Sequence, residues 1–292
     1  MRALLAVDGP LLLYRAYFAL PSTITGAAGR PVNALLGATN AIMREVEGHD
    51  PRAVVVCFGP DAAAYRVDLY PAYHAHREPA PADLAEQFAA CPRLFGSLGW
   101  TVADHPSLEA DDLLGSYATV ETGAGGRALL LTGDRDMFQC AAGRVTVLYL
   151  GRRGAGAERV GPAEVRDRYG VEPGQVPDFI ALRGDPSDGL PGARGVGPKT
   201  AAELLRRHGT LERVLEAAPS EPRRKLRSAL LGASEELLAF KQIATLRDAG
   251  VARPADRETD RGAGAAVAAE MGMDRLCERL RAGPGSFSRP RG

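Results

Sequence analysis

The feature that most constrains this chain is a series of short apolar runs, each followed by a stretch long enough for a helix. Ala53–Phe58 reads A-V-V-V-C-F, whose brevity and β-branched content predict a strand buried on both faces. Ala3–Val7, Ala128–Thr132 and Val145–Leu150 predict further strands, and Trp100–Ala103 another. An apolar segment runs from Leu11 to Leu20, and helices are predicted over Val32–Glu47, Leu84–Leu98 and Glu109–Glu121. Strands separated by helices predict an α/β fold with a mostly parallel sheet.

Beyond about Gly151 the pattern changes. A loop rich in Gly and Arg, Gly151–Gly156, is followed by short helical segments and no β-branched runs. Helices are predicted over Pro162–Tyr169, Val176–Arg183, Pro198–Arg207, Leu211–Ala217, Arg223–Leu231 and Glu235–Leu246. The expected organisation is an α/β domain over 1–160, an all-α region over 161–255, and a poorly specified tail over 256–292 that frays. A length of 292 residues suits one large or two modest domains. No apolar run is long enough for a membrane span, and Ala3–Val7 is too short for a signal-peptide core. Cys57, Cys91, Cys140 and Cys277 are far apart with no C-x-x-C pair, which argues against a zinc cage or a disulfide framework. A cytoplasmic protein is expected.

The balance of 36 basic and 36 acidic residues hides a separation. From Asp104 to Asp136 there are seven acids and two bases; from Gly189 to Leu231 there are nine bases and four acids. An acidic middle followed by a basic segment suggests a cation site beside an anion-binding surface.

The acids sit at telling places. Asp8 follows the first predicted strand, Asp134 and Asp136 follow Ala128–Thr132, and Glu109, Asp111 and Asp112 open a helix. In an open parallel sheet the crevice lies beyond the carboxyl ends of the strands, so these segments can converge there. Carboxylates gathered together repel unless a cation sits between them, and oxygen-only ligands favour Mg²⁺ or Mn²⁺. The Glu109–Asp112 group would equally complement its helix dipole. Asp185 and Asp188 lie three apart in R-G-D-P-S-D-G, where a turn or cap role is as ordinary as a ligand role. Next comes G-A-R-G-V-G-P-K-T-A, residues 192–201, whose glycines lead into a helix with Pro198 at its start. Such a loop exposes backbone N–H groups to phosphate and reads no base sequence.

Together these segments resemble the bacterial 5′–3′ exonuclease and flap endonuclease family, including the N-terminal nuclease domain of DNA polymerase I. The resemblance rests on A-V-D-G-P-L-L-L-Y-R-A-Y-F-A-L (6–20), Y-R-V-D-L-Y-P-A-Y-H-A-H-R (65–77), L-E-A-D-D-L-L (108–114), L-T-G-D-R-D-M-F-Q (131–139) and G-D-P-S-D-G-L-P-G-A-R-G-V-G-P-K-T-A (184–201). It implies a PIN-like α/β nuclease domain with a helical arch from about Tyr65 to Asp83, then a helix–three-turn–helix DNA-binding region. The implied metal ligands are Asp8, Glu109, Asp111, Asp112, Asp134, Asp136, Asp185 and Asp188, holding two Mg²⁺ or Mn²⁺ ions. Tyr73, His74 and Arg77 fall at catalytic positions, with Tyr14, Arg15 and Arg66 near the 5′ strand. Gly195, Gly197, Lys199 and Thr200 would grip the duplex, and their loop would hold a monovalent cation such as K⁺. The implied partner is branched, flapped or nicked DNA, bound by a monomer with neither a membrane nor a small-molecule substrate.

Two departures stand out. The family has F-D after the second strand, whereas this chain has Phe58-Gly59, so a metal carboxylate is missing unless Asp61 reaches the site. An aspartate restored at position 59 is expected to raise activity at limiting metal. The family's Y-K-x-x-R reads Tyr73-His74-Ala75-His76-Arg77, replacing a lysine by a histidine that is largely neutral above pH 7. His74 and His76 would otherwise be two partly exposed arch residues. A DNA-binding protein with little catalysis is the alternative that Gly59 raises.

Overall fold

A computed structural model describes residues 2–151 and 156–287. Its centre is a sheet in the order β3-β2-β1-β4-β5-β6: β1 (Leu4–Asp8), β2 (Ala53–Phe58), β3 (Thr101–Asp104), β4 (Ala128–Thr132), β5 (Val145–Tyr149) and β6 (Glu158–Val160). All neighbours run parallel except β6, which pairs antiparallel with β5. β1, β2 and β4 are buried along nearly their whole length, as continuous apolar runs demand when helices cover both faces. The chain builds outward from β1 first through β2 and β3, then returns to β4 on its other side. The switch therefore lies between β1 and β4, where a crevice opens at the strand ends.

One face of the sheet is covered by α1 (Gly9–Ala19), α2 (Asn33–His49) and α4 (Ala82–Ser97). The other is covered by α5 (Ala110–Gly123) and by the helical region that follows β6. That region comprises α6 (Pro162–Tyr169), α7 (Val176–Arg183), α8 (Pro198–His208), α9 (Leu211–Ala217), α10 (Arg224–Gly232) and α11 (Ser234–Ala244). Phe179, Leu204 and Phe240 from these helices join Leu4, Val55 and Leu130 of the sheet in one apolar cluster. The core is thus continuous across residue 160.

Two regions differ from the sequence reading. The tail expected from 256 instead forms α12 (Arg261–Glu270) and α13 (Asp274–Arg281), whose Ala265, Ala268, Leu276 and Leu280 are buried against the α1–α2–α4 face. The signal was faint because α12 is built of Ala and Gly: Gly264 packs where a Cβ would meet Leu98 Cδ2 at 2.3 Å. The expected helical arch is a short helix, α3 (Ala64–Leu69), then turns through His76 and an irregular run into α4. Pro71, Pro79 and Pro81 interrupt helical hydrogen bonding there. Residues 152–155, most of the expected Gly/Arg loop, and 288–292, the end of the expected frayed tail, lie outside the described residues. Among the described residues no helix is long and apolar enough to cross a membrane.

Candidate active site

The carboxyl ends of the strands open on a cavity of about 1090 Å³. Asp8, Glu109, Asp111, Asp134, Asp136 and Asp188 all line it. Asp8 ends β1 and caps α1, its Oδ1 accepting from Leu11 N–H at 3.0 Å. Its Oδ2 accepts from Thr132 Oγ1–H at 2.8 Å, a bond that spans the switch between β1 and β4. Thr132 Oγ1 in turn accepts from Asp134 N–H at 3.0 Å, and Asp134 Oδ1 accepts from Asp136 N–H at 2.8 Å. Strand end, hydroxyl and turn therefore set three carboxylates in sequence along one rim.

Burial first, and mutual repulsion after it, shift these carboxyls upward. Burial raises the Asp8 carboxyl above the ordinary range. Burial and then repulsion from Asp134, Asp8 and Glu109 push Asp111 well up. Burial followed by Asp134, Asp188 and Asp185 does the same for Asp136. Asp134 is pushed up to about 7, by burial first and then by Asp188. Asp111 Oδ1 is buried with no hydrogen-bond partner. A buried, unpaired carboxylate oxygen among mutually repelling carboxylates fits a hard divalent cation better than any side chain nearby. Among the described residues no three or more His, Cys, Asp or Glu side chains are set closely enough as they stand to hold a metal ion. Besides Asp8 and Asp134, the lining carboxylates Glu109 and Asp188 have oxygens turned to other partners.

Glu109 Oε1 accepts from Ala63 N–H at 2.7 Å, while its Oε2 accepts from Tyr73 O–H at 3.0 Å and lies 2.8 Å from Arg66 Nη1. Asp188 Oδ1 stands 2.9 Å from His74 Nε2 and 3.6 Å from Arg77 Nη2. His74 Nδ1 lies 2.7 Å from the Asp61 carbonyl oxygen, so both contacts are hydrogen bonds only if each ring nitrogen, or Asp188 in place of one, carries a proton. His74 is 6% exposed and stacks on Tyr73 with centroids 3.9 Å apart. It is a buried link between two loops, which does not fit the alternative of a partly exposed arch residue. Arg77 lines the cavity and donates from Nη1 to Asp61 Oδ1 at 3.1 Å; Asp61 lines it too but is turned to that guanidinium.

Other expected ligands are placed elsewhere. Asp112 is fully buried: Oδ1 accepts from Arg66 Nη2–H at 3.0 Å and Arg247 N–H at 2.8 Å, and Oδ2 from Glu109 N–H at 3.1 Å. One residue on from Asp111, it is turned by a helix step of about 100° into the core. Asp185 does not line the cavity; it accepts from Ser187 N–H at 2.8 Å and Arg183 Nη2–H at 3.1 Å, fixing the turn that carries Asp188. Arg66, expected near the 5′ strand, is 3% exposed and also donates from Nε to the Ile243 carbonyl at 3.0 Å. The Arg15 guanidinium is spent on the carbonyls of Leu150 and Gly151, at 2.9 and 2.7 Å, on the cavity side of α1. Tyr14 lines the cavity and meets Phe88 edge-on at 5.7 Å.

The loop between α7 and α8 is as read from the sequence. Gly195 takes φ +76°, Gly197 caps α8, and a Cβ at either would meet nothing within 4 Å. Gly195, Gly197 and Lys199 are exposed and Thr200 is half-buried. Sequence reasoning missed part of the cavity lining: Phe18, Ala85, Phe88 and Pro79–Pro81. The signal was present, since Leu11, Tyr14, Arg15 and Phe18 share one helical face.

Comparison with known proteins bears on the family and the fold. Residues 3–170 match the family model of the 5′–3′ exonuclease N-terminal resolvase-like domain, and 171–259 that of the 5′–3′ exonuclease C-terminal SAM fold. A Mycobacterium tuberculosis 5′–3′ exonuclease is 38% identical over 280 residues, 87% of each chain. DNA polymerase I of the same organism is 38% identical over 73% of this chain, which spans only 24% of that polymerase. The bacteriophage T5 flap endonuclease, solved with DNA and metal ions, superposes with a TM-score of 0.70 at 17% identity, covering 96% of this chain and 98% of its own. With both family domains present in order and a relative matched over most of its length, the chain belongs to the 5′–3′ exonuclease family.

Proposed function

We propose that this chain is a divalent-metal-dependent nuclease that hydrolyses DNA phosphodiester bonds at 5′ ends and 5′ flaps of branched or nicked duplexes. The observation that carries the reading is the convergence of Asp8, Asp111, Asp134, Asp136 and Asp188, from separate stretches of chain, on one cavity. T5 flap endonuclease, which shares the fold, has been solved with DNA and metal ions, and this supports the substrate class.

Asp8 and Asp111 would hold one ion and Asp134, Asp136 and Asp188 a second, with Mg²⁺ or Mn²⁺ favoured by an all-oxygen donor set. Bound there, such ions make a water nucleophilic near neutral pH and offset charge on the leaving 3′ oxygen of an in-line displacement. The chain's own side chains do the rest. Arg77 offers a planar guanidinium to the scissile phosphate. His74 and Tyr73 hold the Asp188 and Glu109 carboxylates in place. Backbone N–H groups of the Gly195–Thr200 loop and Lys199 grip the duplex without reading its sequence. Carbonyls of that loop would take a monovalent cation such as K⁺.

Titration of Mg²⁺ and Mn²⁺ against an end-labelled 5′ flap tests the reading. Metal-dependent release of the flap is expected. Duplex binding with no cleavage at any metal concentration would overturn it in favour of a binding protein.

A further inference from the structure

The duplex grip proposed above uses Lys199, one of nine cations in the basic segment Gly189–Leu231. Four others stand together where α10 begins: Arg223, Arg224, Lys225 and Arg227. A run of like charge on a helix is ordinarily answered by nearby acids or left as a solvated face. Two acids answer part of this one. Glu221, 2% exposed, takes Arg207 Nη2 and Arg223 Nε, each at 2.7 Å, and Glu203 takes Arg223 Nη1 at 3.0 Å. Arg227 Nη1 donates to the Glu221 carbonyl at 2.9 Å. Arg224 and Lys225 are exposed and have no acid partner among the described residues. A buried carboxylate therefore fixes the start of the helix and leaves two of its cations unneutralised.

The same ion pairs locate the cluster. Glu203 and Arg207 belong to α8, the helix that follows the glycine loop, and Lys199 and Glu203 lie four residues apart on one of its faces. From Lys199 to Arg207 is about 12 Å along the axis. Arg224, Ser228 and Leu231 recur at helical spacing on α10 and, with Arg227 and Gly232, line an open groove of about 470 Å³. Two guanidiniums and a hydroxyl on one groove are donors suited to phosphate oxygens.

We infer that the start of α10 is a second contact for the duplex backbone, resting on the nuclease reading above. One strand of a duplex carries a phosphate about every 3.4 Å of axis, so the length of α8 between the two contacts matches about three to four base pairs. A duplex held at Lys199 reaches Arg224 and Lys225 only when its arm extends that much farther. The contact reads charge rather than base sequence. Its effect is selective all the same: it favours substrates with a long duplex arm over short ends.

The test uses the full chain, an Arg224→Ala, Lys225→Ala double variant, the charge-keeping Arg224→Lys, and Lys199→Ala. The probes are 5′-flap DNAs in which each duplex arm in turn is lengthened one base pair at a time. Affinity is measured by anisotropy in EDTA at several salt concentrations, and wild-type cleavage separately in Mg²⁺. On short arms the double variant is expected to match wild type. On long arms its slope of log K against log salt should fall by about 1.8, so that it loses about tenfold less affinity than wild type between 50 and 200 mM salt. That difference should set in about three to four base pairs beyond the length at which Lys199→Ala first matters. Arg224→Lys should keep the wild-type slope. A wild-type slope in the double variant on the longest arms, or an equal reduction at every length, would overturn the second contact while wild-type cleavage left the nuclease reading standing. Unchanged duplex binding together with lost sedimentation on phosphatidylserine vesicles would overturn it in favour of a membrane surface. A wild type that neither binds nor cuts any flap would overturn both readings.

Discussion

The carbonyl oxygen of Leu108 occupies the place where a side chain at Gly59 would begin: a Cβ there would stand 2.2 Å from that oxygen and 3.0 Å from Glu109 Cα. The position at which the family resemblance leads one to expect a metal carboxylate is closed by the backbone that delivers another. The nearby Asp61 side chain is engaged by Arg77.

This reverses the expectation for an aspartate at position 59. Gly59→Asp has to displace residues 108–109, and with them the bonds from Glu109 to Ala63, Tyr73 and Arg66. Overpacking of this kind costs about 1–3 kcal/mol. A lower Tm and no gain in cleavage at limiting Mg²⁺ are expected. Normal Tm with tighter metal dependence would show that the backbone yields there.

Asp111 and Asp112, adjacent in sequence, should respond to mutation with opposite signs of stability. Asp112→Ala leaves the buried Arg66 guanidinium with one carboxylate fewer, and breaking a buried pair costs about 3–5 kcal/mol. Asp111→Asn removes a carboxylate that burial and its neighbours disfavour, so the metal-free protein should gain stability while losing divalent-cation affinity. Urea unfolding and Mn²⁺ calorimetry on both variants check this. Loss of metal affinity in Asp112→Ala without destabilisation would make Asp112 a ligand.

How much of this was legible in the sequence depends on what writes the signal. β2, β4, α6, α7 and α9 fall where their apolar patterns predicted, because large side chains at regular spacing record burial directly. α12 was unreadable because Ala and Gly pack closely without leaving such a record, and β6 because three edge residues carry no period. Strand ends pointed to Asp8, Asp134 and Asp136, which line the cavity. They could not tell Asp111 from Asp112, since orientation within a helix turn is decided by partners such as Arg66 and Arg247, distant in the chain.

Asp134 makes stability depend on pH in an unusual sense. Its folded carboxyl titrates near 7, against 3.8 for the free group, so between those values the folded chain binds more protons than the unfolded one. Its contribution to stability is therefore present below about 4 and lost as pH rises to about 7. In metal-free buffer, Tm of Asp134→Asn minus wild-type Tm should grow more positive across that window, and Mg²⁺ should stabilise wild type more at pH 8 than at pH 5. A difference that stays constant with pH would contradict the proximity of Asp188 and Asp8.

Lys199 sits exposed in the first turn of α8, beside the glycine loop. Lys199→Ala should weaken duplex binding about uniformly over sequences and reduce the slope of log K against log salt by about 0.9, the value for one phosphate contact. Binding isotherms at several salt concentrations check it. An unchanged slope would remove Lys199 from the DNA-binding face.

The central claim is that the carboxylate cavity performs the chemistry while the helical region supplies the grip. It is tested most directly by comparing wild type with Asp136→Ala on one end-labelled 5′ flap, measuring kcat in Mg²⁺ and duplex affinity in parallel. The account predicts that Asp136→Ala loses at least about a hundredfold in kcat, as expected when an interaction made at the transition state is removed, with affinity nearly unchanged. Cleavage that survives the substitution, or affinity that falls in step with it, would contradict the account.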